Sequence, residues 1–152
     1  MNDTNVSLSV FVPGIPQSRG SKRAFPFRRT NGQLGVAVSD DNPSSRDWMA
    51  IVSDVVGRAM DGRPPLEGPV FLDLLFRMPR PQYHYRTGRN AGELKADAPQ
   101  RHTKKPDRGK LARAVEDALT GVVYRDDSQV WGGVITKVYG DQPGVLIGIS
   151  GV

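Results

Sequence analysis

KPDRGKLARAVEDALTGVVYRDDSQV is the sequence of residues 105–130, and it predicts a helix with acidic residues at both ends. Apolar side chains recur in this segment at three- and four-residue spacing, which is typical of one buried face of an α-helix. They are Leu111, Ala114, Val115, Ala118 and Leu119. Gly121 ends the pattern, because glycine readily adopts the left-handed conformation that follows many helices. Asp107 stands before this helix, and the pair Asp126 and Asp127 follows it.

Apolar patterns on either side of this segment predict the remaining elements. Residues 70–77 place apolar side chains at every second position, which is typical of a strand with one buried face. Residues 45–60 repeat them at helical spacing, with Ser44 and Ser45 as candidate caps. Further strands are predicted at residues 6–12, 34–38, 130–139 and 145–149. The order β-β-α-β-α-β-β predicts a single α+β domain over residues 1–152, with two main helices and a mixed or antiparallel sheet.

Residues 79–106 are polar and rich in glycine, proline, arginine and lysine. They show almost no apolar periodicity. Because loops of this length are uncommon in compact domains, we expect a functional or mobile segment here.

Length and composition narrow the class of protein. A chain of 152 residues is long enough for one domain with a modest core. It contains no cysteine, so it has no disulfides and no thiolate nucleophile or ligand. The first ten residues do not resemble a signal peptide, and no apolar run is long enough to span a bilayer. We therefore expect a soluble, cytoplasmic protein without a membrane partner.

The charge is concentrated in two parts of the chain. Residues 15–30, the first basic segment, carry +5, and residues 77–113, the second basic segment, carry +8. The whole chain carries +5, which leaves −8 for the rest. Such polarity favours a polyanion as the partner, with nucleic acid as the leading candidate and solvated loops as the alternative. The side chains expected to contact DNA phosphates are Arg19, Lys22, Arg23, Lys104, Lys105 and Lys110.

Several common sites are missing from the sequence. It has no Walker, Rossmann or zinc pattern, and no serine motif of a Ser-His-Asp hydrolase, so no small-molecule cofactor is expected. His84 and His102 are too far apart to suggest a metal pair, and we expect His102 to contact phosphate or solvent. Trp131 is interpreted as a core or dimer contact in preference to a base-stacking residue.

The carboxylates around the 105–130 helix suggest phosphodiester chemistry. Mg²⁺ held by carboxylates can activate a water and balance the charge of the transition state. Residues 122–124 are interpreted as a short strand leading to Asp126 and Asp127, and only one of that pair could face the same site as Asp107. The alternative is purely structural, with Asp107 as a helix N-cap and Asp126-Asp127 as a turn.

The same residues resemble a known family. Lys105-Pro106-Asp107, the helix ending in Asp117-Ala118-Leu119-Thr120-Gly121, and Asp126-Asp127-Ser128-Gln129-Val130 are similar to the signature of RusA-type Holliday-junction resolvases. The resemblance implies a RusA-like fold and a homodimeric, Mg²⁺-dependent endonuclease of bacteria or their phages. Such enzymes nick four-way DNA junctions symmetrically in recombination and repair. Carried over by position, Asp107 and Asp127 would bind the metal, and Arg113 would stand for a basic residue that assists cleavage.

One position departs from the family pattern. Gly109 stands where the resemblance expects a second metal-binding aspartate. Asp126 or Glu116 could supply the missing ligand, or the chain could be a diverged or engineered inactive form. The first alternative function is therefore a non-catalytic DNA-binding protein on the same fold. The second is a basic RNA-binding module with an accidental motif match.

Overall fold

The computed structural model describes residues 6–20, 22–40 and 42–151, with side chains for all of these except residues 22, 23 and 38–40. Its strands are β1 (Val6–Pro13), β2 (Lys22–Arg28), β3 (Leu34–Asp40), β4 (Val70–Met78), β5 (Val130–Gly132), β6 (Ile135–Tyr139) and β7 (Gly144–Gly151). Its α-helices are α1 (Ser44–Ala59) and α2 (Arg108–Leu119). The predicted α+β class with a mixed sheet and two main helices is confirmed.

The main sheet is built around β4 and β7. β7 pairs antiparallel with β1 on one side and with β4 on the other. The other edge of β4 pairs in parallel with β5 near Val70 and with β6 from Leu74 to Met78. β2 and β3 form a separate antiparallel hairpin. β4 therefore has parallel neighbours, β5 and β6, on one edge and an antiparallel neighbour, β7, on the other, so the sheet is mixed.

One hydrophobic core joins this sheet to both helices. The alternating side chains predicted for β4 are all buried, and so is the whole predicted apolar face of α2. From α1, Trp48, Val52 and Val56 reach the same core. Because α1 and α2 contact each other as well as the sheet, the position of α2 is determined from several sides.

Three of the strand predictions were wrong. β2 was not predicted, because Pro26 and the neighbouring arginines are typical of a loop. Both strands of a two-stranded hairpin are edge strands, and an edge strand tolerates a proline. Residues 122–124 form a turn after α2, and Gly121 has a φ of +82°. The strand predicted at 130–139 is interrupted at Gly133, where the chain passes so close to the backbone of Leu72 that a β-carbon could not fit.

Two smaller predictions also need correction. The N-cap of α1 is Pro43, and Ser44 and Ser45 lie within the helix, so neither serine occupies the expected cap position. Trp131 is 69% exposed and contacts Phe71, so it is not a core residue. Its interpretation as a dimer contact stays a prediction.

The long polar segment at 79–106 is folded onto the edge of the sheet. Short 3-10 turns form at Gln82–His84 and Gly88–Asn90. Backbone hydrogen bonds then join Tyr139 N–H to Gln100 O at 2.9 Å and His102 N–H to Lys137 O at 3.2 Å. The segment therefore leads directly from the edge of β6 to the start of α2.

Candidate active site

Asp107 lies at the N-cap of α2, but its carboxylate makes no capping hydrogen bond. The side chain is exposed, so its oxygens are accessible to a ligand. It lines a depression of about 320 Å³ together with Ser18, Lys105, Pro106 and Lys110. One carboxylate thus lies among lysines at the positive end of a helix dipole.

Lys137 holds the segment that carries Asp107, a role the sequence did not indicate. Its ammonium donates hydrogen bonds to the carbonyl oxygens of Lys104 and Pro106, both at 2.8 Å. Burial lowers the pKa of Lys137, whereas the nearby negative charge of Asp107 raises it. A single lysine on a half-buried strand carries no recognisable motif, so only the packing of β6 beside α2 reveals its role.

Gly109 and Arg113 are exposed on the same side of α2, one helical turn apart. Gly109 has ordinary helical backbone geometry, and a β-carbon added there would have no atom within 4 Å. The structure therefore offers no packing reason for glycine at this position. A longer side chain would extend into open space in the first turn of α2.

Asp126 and Asp127 differ in what their side chains do. Asp126 caps the 3-10 helix Asp127–Gln129: its carboxylate accepts a hydrogen bond from Ser128 N–H at 2.8 Å, and Gln129 Oε1 accepts from Asp126 N–H at 3.0 Å. Hydrogen bonding from the Ser128 side chain, and then from its backbone N–H, lowers the pKa of Asp126. This supports the structural interpretation of Asp126. Both carboxylates are exposed, but Asp127 is the member of the pair that does not cap this turn.

Glu116 lies close to Asp127 in the folded chain. Burial raises the pKa of Glu116, the negative charges of Asp127 and Asp117 raise it further, and the guanidinium of Arg113 opposes them. Glu116 is eight residues beyond Arg108, which is about 12 Å along a helix axis. The charge of Asp127 therefore reaches Glu116, which lies about 12 Å from the start of α2 and is poorly placed to supply the ligand missing at Gly109.

The carboxylates fit a divalent cation in kind but not in number. Asp107, Asp127 and Glu116 offer the hard oxygen donors that Mg²⁺ prefers. Across residues 6–20, 22–40 and 42–151, however, no three histidine or acidic side chains are grouped so that they could hold a metal ion. The missing carboxylate at Gly109 is consistent with that result.

The predicted DNA contacts have varied surroundings. Lys104, Lys105 and Lys110 are exposed around Asp107. Arg19 instead forms an ion pair with Asp117 at 3.6 Å, and its backbone N–H bonds to Lys110 O at 3.2 Å, so it ties the first basic segment to α2. The side chains of Lys22 and Arg23 lie outside the described part of the structure.

His102 was expected to contact phosphate or solvent, and the structure buries it from solvent. Its side chain is only 8% exposed and contacts the Tyr139 ring, with a centroid separation of 4.8 Å. His84 is buried on the same ring, also at 4.8 Å. Both histidines belong to the 79–106 segment, and they are buried where that segment packs against Tyr139 of β6.

The family model for endodeoxyribonuclease RusA matches residues 13–150, nearly the whole chain. The chain belongs to the RusA family. RusA proteins are nucleases associated with Holliday junctions, and the match includes the segment that carries Asp107, Gly109 and Asp127. The resemblance seen in the sequence is therefore confirmed at the level of family and fold.

A bacterial protein is similar in sequence to this RusA-family chain over nearly its whole length. The uncharacterized protein YqaN of Bacillus subtilis (strain 168) is 33% identical over 146 residues, covering 93% of this chain and 94% of its own length.

Within residues 6–20, 22–40 and 42–151, no helix is both long and apolar enough to cross a membrane.

Proposed function

We propose that this RusA-family protein is a Mg²⁺-dependent endodeoxyribonuclease that binds four-way DNA junctions and nicks them symmetrically in recombination and repair. Its activity is weakened because Gly109 replaces a metal-binding aspartate. Asp107 carries the proposal: its carboxylate is free of capping bonds and lies in one depression with Lys105 and Lys110. Lysines attract a phosphate to this depression, and the carboxylate can hold the cation that cleavage needs.

In this proposal Asp107 and Asp127 hold the metal. Bound Mg²⁺ supplies an activated water and a counter-charge for the phosphodiester transition state. Arg113, which is exposed on α2, would supply a further positive charge to assist cleavage. Asp126 is a weak candidate for the missing ligand because one of its oxygens already caps the turn at Ser128.

The two basic segments would bind the arms of the junction, with Lys104, Lys105 and Lys110 nearest the cut. A junction has two-fold symmetry, and paired cuts call for two sites related by that axis. The chain carries one such constellation, so the proposal includes a homodimer. We expect it to act in the bacterial cytoplasm, where its DNA substrate is found.

The alternative is a junction-binding protein that does not cleave. It is favoured by one observation: no three acidic or histidine side chains are grouped for a metal within the described ranges. Loss of a carboxylate from a surface that faces phosphate would reduce repulsion, so binding could persist without catalysis.

The test is a nicking assay on a four-way junction across a Mg²⁺ titration, beside binding measurements in EDTA. We expect slow nicking at high Mg²⁺, lost in Asp107→Asn, while this variant binds the junction equally or more tightly. Asp54→Asn, which changes an exposed aspartate paired with Arg58 on α1, is the matched control. Tight junction binding with no nicking at any Mg²⁺ concentration would establish the alternative, and equal affinity for junction and duplex would contradict both.

A further inference from the structure

A second cleft adjoins the Asp107 depression. It has a volume of about 610 Å³ and lies between the chain after β1, the chain after β4 and the segment that leads into α2. His102 and Tyr139 are part of its lining, and so are Tyr83, Lys104 and Lys105. Aromatic rings and ammonium groups thus meet in one concave surface, a combination that suits a nucleotide.

The aromatic rings of this cleft support one another. Tyr139 contacts the rings of His84 and His102, and Tyr83 lies edge-on to His84 with centroids 4.8 Å apart. Arg80 lies 5.3 Å from the centre of the Tyr139 ring and donates a hydrogen bond to Pro99 O at 2.8 Å. Tyr83 is nevertheless 63% exposed. The cluster therefore holds in place an aromatic ring that remains largely open to solvent.

His102 gives the cleft an uncharged wall with an unmet hydrogen-bonding group. Its Nδ1 is buried and has no hydrogen-bond partner in the part of the chain that the structure describes. Burial, and then the charge of Lys137, lowers the pKa of His102, which favours the uncharged imidazole. A neutral aromatic wall suits a base, whereas the lysines at Lys104 and Lys105 suit a phosphate.

The cleft and the Asp107 depression are neighbours on the surface. Ser18, Lys105 and Pro106 line both of them. A DNA strand whose phosphate lies at Asp107 would therefore bring a neighbouring nucleotide to the cleft.

We infer that this cleft binds one unpaired DNA nucleotide beside the scissile phosphate, with its base against Tyr83 and its phosphate near Lys104 and Lys105. The inference rests on the proposed junction-binding function and deepens it. A base must leave its stack to enter the cleft, and this costs least where pairing is already interrupted. Junction crossovers meet that condition and continuous duplex does not, so the cleft would favour branched DNA.

The experiment combines protein variants with abasic substitutions at the crossover of a four-way junction, one nucleotide at a time. Affinities are measured in EDTA, so that no DNA is cut. With wild-type protein, we expect one abasic position to weaken binding about tenfold, the scale of a lost stacking contact. Tyr83→Ala should weaken binding to the intact junction by a similar factor and show no further loss at that abasic position, because the two changes remove the same contact.

Two controls accompany this cycle. Tyr83→Phe keeps the ring and should retain the response of the wild-type protein to the abasic site. Lys104→Ala should weaken junction binding, whereas Arg58→Ala, an exposed cation on α1 outside both basic segments, should not. Circular dichroism and binding to continuous duplex check that Tyr83→Ala remains folded.

The outcomes separate this inference from the proposed function. If the wild-type protein prefers the junction but Tyr83→Ala binds it equally well, the cleft inference is overturned and the proposed function stands. The inference is also overturned if, at every abasic position, the loss of affinity caused by Tyr83→Ala adds to the loss caused by the missing base. If the wild-type protein shows no preference for the junction over duplex, both fail.

Discussion

At the scale of single residues, Gly109 has the clearest consequence for activity. It lies in the first turn of α2, exposed, with open space where a side chain would extend. Glycine costs about 0.8–1 kcal/mol relative to alanine within a helix, and an acidic residue in the first turn is favoured by the helix dipole. Neither packing nor backbone conformation asks for glycine here.

We predict that Gly109→Asp raises the cleavage rate at low Mg²⁺ by about tenfold, equivalent to about 1.4 kcal/mol. The added carboxylate attracts the cation, and without the cation it repels phosphate, so junction binding in EDTA should be equal or slightly weaker. Junction nicking and thermal melting across a Mg²⁺ titration provide the measurements. Gly109→Asn, which has the same size without the charge, is the control. Equal cleavage by the glycine and aspartate proteins at low Mg²⁺ would show that another residue completes the site.

His102 makes stability depend on pH. Burial and the charge of Lys137 hold its pKa below the ordinary value of 6.5 in the folded protein. Below pH 6.5 the unfolded chain therefore binds a proton that the folded chain resists, and the free energy of unfolding falls. The full contribution of His102 is present above pH 6.5 and is lost progressively as the pH drops toward the lowered pKa.

We predict that His102→Phe reduces this loss of stability between pH 7.5 and pH 5 while keeping an aromatic ring against Tyr139. Urea denaturation of both proteins at the two pH values measures the effect. The same acid sensitivity in His102→Phe as in the wild-type protein would assign it to other groups.

At the scale of elements, the break between β5 and β6 depends on Gly133. Its φ is +151°, and an added β-carbon would lie 1.7 Å from the carbonyl oxygen of Leu72 on β4. The tight passage lets β5 and β6 pair with different parts of β4, and Leu74 N–H bonds to Val134 O at 2.9 Å beside it. The interruption therefore determines how β6 carries Lys137 toward Asp107.

We predict that Gly133→Ala lowers the free energy of unfolding by about 3 kcal/mol or more, because β4 must move to admit the methyl group. Gly109→Ala is the matched control and should raise stability by about 0.8–1 kcal/mol. Chemical denaturation compares the two. If Gly133→Ala lowers the free energy of unfolding by less than about 1 kcal/mol, β4 can move away from residue 133 at little energetic cost.

At the scale of the whole molecule, the two basic segments should give DNA binding a strong dependence on salt. Each neutralised phosphate contributes about −0.9 to the slope of log affinity against log salt concentration for duplex arms. We predict that Lys104→Ala and Lys105→Ala each make the slope less negative by about 1, whereas Arg58→Ala leaves it unchanged. The slope is obtained from junction affinities measured at salt concentrations from roughly 50 to 200 mM, where phosphate contacts make the affinity fall steeply. An affinity independent of salt would contradict the role of these lysines.

The symmetry of a junction also predicts the assembly. We expect light scattering to give the mass of a dimer at micromolar concentration, since two opposed cuts need two sites. If the exposed Trp131 contributes to the interface, Trp131→Glu should lower the measured mass toward that of one chain. A monomer both with and without junction DNA would count against a junction-resolving enzyme.

Local pattern was enough to predict α2, β4 and the segment that carries Asp107, Gly109 and Asp127. The apolar face of α2 and the buried face of β4 repeat at the periods of a helix and a strand. These periods belong to neighbouring residues and are visible without any distant contact. Family membership is carried by the same kind of short, ordered motif.

Only the tertiary structure revealed the tether at Lys137, the buried His102 and the cleft beside Tyr83. Lys137 bonds to carbonyls more than thirty residues earlier in the chain, at Lys104 and Pro106. His102 is buried because its own segment, polar and without period, pairs its backbone with β6. Backbone pairing between distant segments uses the peptide groups that every residue has, so it leaves no mark on the order of side chains. The sequence by itself therefore determined the elements and the acidic motif, and packing decided which charges and rings meet around it.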